Sequence, residues 1–264
     1  MAEPPRKSHG RLSIRASAEP RDLMARPALA GVWQARIITL LPDAFPGPLG
    51  LSLIGKALKD GIWQLALTDL RRFGAGRHRD VDDTPAGGGA GMVLRADVMG
   101  RAVASTVEGL PNDPARWPRM YLSPRGRKFD QAMARRLARA EGIILVSGRF
   151  EGLDQRAIDH LGLEEVSIGD FVMTGGDIAA YAMIDAIVRL LPGVLGNAAS
   201  TEDESFSNGL LEHPQYTRPA LWEGSSIPEV LTSGDHAAVE RWRRAQSEAL
   251  TQERRPDLWK KRED

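Results

Sequence analysis

The run Ile143-Ile144-Leu145-Val146 passes straight into Ser147-Gly148-Arg149-Phe150-Glu151-Gly152. About twenty residues later Glu165-Val166-Ser167-Ile168 passes into Gly169-Asp170-Phe171-Val172-Met173-Thr174-Gly175-Gly176. Each is a short apolar segment that reads as a strand and ends in a glycine-rich turn beside charged residues. A helix-like stretch separates them, and strand, helix, strand in that order predicts a parallel pair. In open parallel sheets a ligand sits beyond the carboxyl ends of the strands. Gly169, Gly175 and Gly176 would let backbone N–H and C=O groups approach a flat polar ligand with no Cβ in the way. A third loop of the same form is Tyr121-Leu122-Ser123-Pro124-Arg125-Gly126.

The alternation runs along most of the chain. Residues 36–41 and 62–68 read as strands, with 49–59 a helix ended by Asp60-Gly61. Residues 97–107 read as a helix and 120–122 as a short strand. Residues 130–140 form an Arg/Ala helix with Asp130 as its N-cap and Gly142 beyond its end. The helix between the first two glycine-rich turns spans 153–161. This predicts an α/β fold, a parallel sheet with helices on both faces. Residues 177–190 form a helix apolar on more than one face, which suits a central core helix or a subunit interface.

Residues 194–208 are acidic and polar without periodicity and read as a flexible linker. A small helical domain follows at 209–264, its longest helix starting near Asp235 and ending about Arg254, because Pro256 cannot continue it. Residues 34–193 then make the sheet domain. Residues 1–33 are rich in Arg, Pro, Ala and Ser without the apolar core of a signal peptide, and read as a disordered extension or an upstream start.

Composition removes several chemistries. The absence of cysteine excludes disulfides, thiolate nucleophiles, iron–sulfur clusters and Cys-type zinc sites, and is compatible with a cytoplasmic protein. Five histidines are scattered without ligand spacing, so no metal site is expected. No apolar run approaches a membrane span. With 35 basic and 35 acidic residues the net charge is zero, so any nucleic-acid contact must rest on local patches. Arg77 and Arg79, beside Arg71 and Arg72, form one; Arg241, Arg243 and Arg244 form another. Arginine suits bidentate phosphate contacts, although a charged run is also an ordinary solvated face. Gly87-Gly88-Gly89-Ala90-Gly91-Met92 lacks the ending of a phosphate-binding P-loop, and Gly74-Ala75-Gly76 lacks a third dinucleotide-type glycine. Both lie in a long polar stretch, 71–91, that reads as a mobile loop or a lid that orders around RNA.

The three loops, together with RHRDVDDTPAGGGAGM (77–92), LSPRGRKFDQ (122–131), LLPGVLGN (190–197) and GLLEHPQYTRP (209–219), give a clear resemblance. From about Ile37 to Arg255 the chain is similar to the bacterial tRNA (guanine-N1)-methyltransferases, the TrmD family of the SPOUT class. The resemblance implies a deep trefoil knot whose loops hold S-adenosylmethionine in a bent shape. Onto this chain the cofactor contacts fall on Tyr121, Leu122, Ser123, Pro124 and Gly126, on Gly148, Arg149 and Gly152, and on Ser167, Ile168, Gly169, Asp170, Phe171, Val172, Met173, Gly175 and Gly176. It further implies a homodimer, tRNA as substrate, and methylation of the guanosine just 3′ of the anticodon (tRNA position 37). Magnesium is an auxiliary that the family admits, with no ligand cluster in the sequence to fix its position.

N1 of neutral guanine carries a proton, so its lone pair attacks a methyl group only once a base has removed that proton. A carboxylate within reach would serve, with a cation steadying the charge that develops at O6. The acidic candidates stand in Thr201-Glu202-Asp203-Glu204-Ser205-Phe206. Without a gap, the family's base falls on Glu204; a shift of one residue gives Asp203, and both stay open. Arg189 closes the apolar helix, where the helix dipole alone would account for it; the resemblance places it near the guanine. Glu151 matches a family glutamate near the methionine end of the cofactor. Asp177 would cap its helix or approach the sulfonium, and Tyr121 or Phe171 would stack near adenine or belong to the core. Two other readings remain: ribose 2′-O methylation, which would not need the linker carboxylates, and a non-catalytic RNA-binding module.

Overall fold

The computed structural model describes residues 31–196 and 204–263. Its first half builds β1 (Trp33–Thr39), α1 (Ser52–Lys59), β2 (Trp63–Asp69), the short β3 (Asp82–Asp83) and β4 (Val93–Leu94), and α2 (Ala96–Thr106). Then come β5 (Arg119–Lys128), α3 (Gln131–Ala138), β6 (Gly142–Ser147), α4 (Gln155–Leu161), β7 (Glu164–Ser167) and α5 (Asp177–Val188). Five strands form one parallel sheet in the order β2-β1-β6-β5-β7. The apolar run 143–146 lies in β6, at the centre, and every residue of that strand is buried.

Period-two alternation divides the core into two layers. Ala35 and Ile37 of β1 with Ile143 and Leu145 of β6 face α1, α3 and α5. Ile38 and Val146 face α2 and α4. Helices therefore cover both faces, as the alternation predicts. Capping follows the sequence: the Asp130 carboxylate accepts from the Met133 amide at 2.8 Å, and Asp235 accepts from Ala238 at 3.0 Å. Gly162 ends α4 at φ +61°, the left-handed conformation glycine adopts freely.

Several expectations are revised. β1 begins at Trp33, inside the stretch read as an extension, because its indole is buried and donates to the Leu137 carbonyl at 3.1 Å. β5 is ten residues long rather than three. Both Leu122 and Arg127 pair with Val166, so residues 123–126 are looped out of a continuous strand. The polar stretch 71–91 carries structure: a 3₁₀ turn, Leu70–Phe73, then a tight turn closed by hydrogen bonds between Ala75 and Asp80 (2.8 and 2.9 Å), then β3, which pairs antiparallel with β4. Arg77, His78 and Arg79 stand exposed on that tight turn.

The segment after Gly209 holds the hairpin β8 (Leu221–Trp222) and β9 (Ser225–Ser226), a single turn α6 (Glu229–Thr232), α7 (His236–Arg254) and α8 (Pro256–Glu263). Pro256 ends α7 as expected but also opens α8, since proline is well suited to the first turn of a helix. No helix among the described residues is long and apolar enough to cross a membrane.

Candidate active site

β6, β5 and β7 are adjacent in the sheet, so their carboxyl ends bring the three glycine-rich loops together. Residues 121–125, 148–153, 166–169 and 171–176, with Val93 and Ala179, line one cavity of about 350 Å³. That volume is in the range of small-molecule sites. The lining takes in the expected cofactor contacts and Glu151, except Gly126 and Asp170. It adds Arg125, Phe150 and Thr174 from the loops and Val93 from β4.

The glycines hold the loops against one another. The Gly176 amide donates to the Gly148 carbonyl at 2.8 Å, and Arg149 and Gly175 form an antiparallel bridge. A Cβ on Gly176 would stand 3.0 Å from Leu122 Cβ and from Ser147 Cα, so the third loop packs tightly onto the paired ends of β5 and β6. A Cβ on Gly126 would lie 2.2 Å from the Val166 nitrogen. The absence of a Cβ there lets the looped-out segment return closely against the β7 backbone. Ser167 Oγ donates to the Gly169 carbonyl at 2.9 Å and accepts its amide at 3.2 Å, which tightens the third loop at its root.

Tyr121 is buried, with its ring under Gly148 and its hydroxyl near Gly152, and burial pushes its phenol pKa upward. It serves as core and cavity wall together, whereas the Phe171 ring is exposed over Gly169. Asp177 is the first residue of α5 and makes no side-chain cap bond. It is buried, and Oδ1 accepts from Thr39 Oγ1 at 2.6 Å, which ties α5 to the end of β1. The expectation that it caps α5 is thereby corrected: Gly176 is the N-cap, and the end of β1 provides the donor for the Asp177 carboxylate. Ser147 Oγ is buried without a partner among the described residues, just beneath this loop junction.

The polar stretch closes onto the second loop. The Glu151 amide donates to Met92 O at 2.9 Å and the Leu94 amide to Gly152 O at 2.8 Å. Gly91 leaves room for the Glu151 side chain, whose Oε1 would be 2.5 Å from a Cβ there.

A second cluster stands apart from the cavity lining. Arg189, the C-cap residue of α5, donates both terminal nitrogens to the two carboxylate oxygens of Glu204, one at 2.7 Å, in a bidentate pair. This hydrogen-bonded cation holds the Glu204 carboxyl below its usual range, against the opposing effect of burial, and the charges of Arg189 and Arg135 add to it. The Arg189 pKa is raised by the same pair. Asp203 lies outside the described residues. Arg135 of α3 joins this cluster, its guanidinium donating to Ser207 Oγ at 2.9 Å. Nothing in the Arg-rich α3 sets it apart from its neighbours. Arg241, Arg243 and Arg244 are exposed on α7, with Arg244 paired to Glu248 at 3.0 Å. Among the described residues no three acidic or imidazole groups converge to hold a metal ion.

Three loops from adjacent parallel strands, closing a glycine-lined cavity at the strand ends, define a ligand-binding α/β domain. The profile of the family described as tRNA (Guanine-1)-methyltransferase TrmD matches residues 33–261, and the chain belongs to that family. Among similar proteins, the tRNA (guanine-N(1)-)-methyltransferase of Ruegeria pomeroyi is 68% identical over 235 residues, covering 89% of this chain and 96% of that protein. Those of Roseobacter denitrificans (65% identical; 90% and 97% covered) and Bradyrhizobium diazoefficiens (62%; 86% and 89%) are similar over nearly the same span.

Proposed function

We propose that this chain is an S-adenosylmethionine-dependent tRNA methyltransferase, acting in the cytoplasm on N1 of the guanosine at tRNA position 37. The observation that carries it is the cavity built by residues 121–125, 148–153, 166–169 and 171–176 in a chain of this family. Those loops suit the cofactor: close-packed backbone turns and a volume of the right order. When bound, the cofactor supplies an electrophilic methyl group on a sulfonium. The trefoil knot belongs to this reading, with Gly176 packed against the paired ends of β5 and β6 at Leu122 and Ser147.

Glu204 takes the N1 proton and Arg189 steadies the oxyanion at O6. Their ion pair keeps the carboxylate charged at neutral pH, and guanine O6 competes for the same guanidinium. Arg189 turning to O6 releases Glu204 and restores its basicity. Glu151, held beside Gly91, stands at the cofactor's methionine end. Neither Arg189 nor Glu204 lines the cavity of its own chain. This supports a homodimer in which cofactor loops from one protomer meet the Arg189–Glu204 pair of its partner. The exposed Phe171, Val172 and Ile178 suit that interface. Exposed arginines at 77, 79, 241, 243 and 244 would contact tRNA phosphates, with the helical segment from Gly209 as a tRNA-binding domain.

Transfer of labelled methyl to unmodified tRNA transcripts tests the reading: guanosine at the target position is methylated and adenosine is not. Glu204→Gln keeps the size of the side chain and removes the base, and slows transfer about 100-fold. A parent rate in that variant would move the role elsewhere. Mixing a Gly148 variant with Glu204→Gln should restore activity through heterodimers. A monomer at micromolar concentration by light scattering overturns the shared site.

A further inference from the structure

We propose that Arg135 is a positioning residue for the linker carboxylate, holding Glu204 in register through Ser207 and through its own charge. The inference rests on the reading of Glu204 as the base.

The linker segment around Glu204 is a built turn. Its Ser207 amide donates to the Glu204 carbonyl at 3.1 Å, and the Phe206 amide, at φ +73°, donates to Leu210 O at 2.8 Å. Ser205 Oγ accepts the Glu212 amide at 3.0 Å. The Glu204 carboxylate and the Ser207 hydroxyl therefore belong to one hydrogen-bonded unit, and fastening one end fixes the other.

Three elements fasten it. From α7, Thr251 Oγ1 accepts the Leu211 amide at 2.8 Å; Arg255, paired with Asp257, lies 5.8 Å from the Phe206 ring. From α5, Arg189 grips the carboxylate, with Asp185 acting on that guanidinium. From α3, Arg135 holds Ser207 at 2.9 Å. Arg189 has to leave Glu204 to reach a guanine oxygen. Arg135 does not, because its hydrogen bond goes to the serine. It is thus the cation that stays beside the base through the reaction, and it opposes the negative potential of a bound polynucleotide, which would otherwise favour protonation of the carboxylate.

The test is single-turnover methyl transfer to a tRNA transcript as a function of pH, at saturating S-adenosylmethionine, with the full chain. Arg135→Ala should slow transfer roughly tenfold, as a small misplacement of a reacting group does. It should leave cofactor affinity unchanged and move the acid limb of the profile to higher pH. Arg135→Lys should return the limb to its parent position without restoring the full rate. Ser207→Ala should slow transfer and leave the limb in place. Parent rates in Arg135→Ala, or a loss confined to tRNA affinity by filter binding, overturn the proposal. The latter would make Arg135 a phosphate contact. If Arg135→Ala does not fold, parent rates in both Arg135→Lys and Ser207→Ala overturn it. A parent rate in Glu204→Gln sinks the base reading itself; a slow Glu204→Gln beside an unaffected Arg135→Ala sinks only this one.

Discussion

Gly148→Ala adds a single carbon at the root of the second loop, and the structure sets what that carbon meets. Its Cβ would lie 2.6 Å from Tyr121 Cε2, 2.7 Å from the hydroxyl oxygen and 3.0 Å from Cζ. Ordinary carbon contacts need about 3.5–4.0 Å, so ring or loop has to move by roughly 1 Å. Tyr121 cannot swing away easily: it is 4% exposed and packs with Val146 and Leu153 in the layer facing α2 and α4. The loop is the softer side and yields toward the cavity, straining the bond from the Gly176 amide to Gly148 O. Overpacking of this kind costs about 1–3 kcal/mol. If most of it is recovered only when the loop leaves its ligand-ready position, cofactor affinity falls by roughly 5- to 150-fold. Titration calorimetry with S-adenosylmethionine reads the affinity, and a thermal melt separates it from global unfolding, for which a drop of a few degrees is expected. Tyr121→Phe in the same chain removes the contact at 2.7 Å but not the one at 2.6 Å, so rescue should be partial. Parent affinity in Gly148→Ala would refute the placement of this loop against the cofactor.

Gly126→Ala should be worse for stability, by more than about 3 kcal/mol in urea unfolding, since its Cβ would meet backbone 2.2 Å away. A near-parent midpoint would contradict the β5–β7 pairing described. Gly100→Ala has the opposite sign: Gly100 lies within α2 with nothing within 4 Å of a Cβ, and the change should add about 0.5–1 kcal/mol. Replacing Arg77, Arg79, Arg241, Arg243 and Arg244 by Gln should flatten the salt dependence of tRNA binding by roughly 0.7–0.9 in log–log slope for each phosphate that is no longer neutralised; an unchanged slope removes them from the interface. Because Arg189 depresses the Glu204 pKa, the pair's contribution is complete above the ordinary carboxylate range and is lost as pH falls through the lowered value. Protease cleavage of the linker should therefore rise only in acid for the parent chain and at every pH for Glu204→Gln; identical profiles would show that the pair does not hold the linker.

Local chemistry was enough for much of the architecture. An apolar run such as 143–146 cannot face water on either side and becomes a central strand; Asp130 and Asp235 announce helix starts because their carboxylates satisfy free amides at short range. The three glycine-rich turns were legible as one site, because parallel strands place their carboxyl ends at the same edge. Less legible was the polar stretch 71–91, whose order comes from a 3₁₀ turn, the Ala75–Asp80 bonds and the short β3–β4 ladder rather than from any apolar periodicity.

What the chain's own residues determined, then, is the order of strands and helices, the capping, and the chemistry that the loops and the linker carboxylates offer, all of which depend on neighbours close in sequence. The tertiary structure decided the meaning of individual residues. Gly126 is small for a strand 40 residues further on, and Asp177 turns inward because Thr39, 138 residues away, offers it a proton. The Arg189–Glu204 pair and the Arg135–Ser207 contact form only when α3, α5 and the linker meet. Such contacts have no sequence signature because their energies depend on distance in space, and folding brings together residues whose separation along the chain carries no information about that distance.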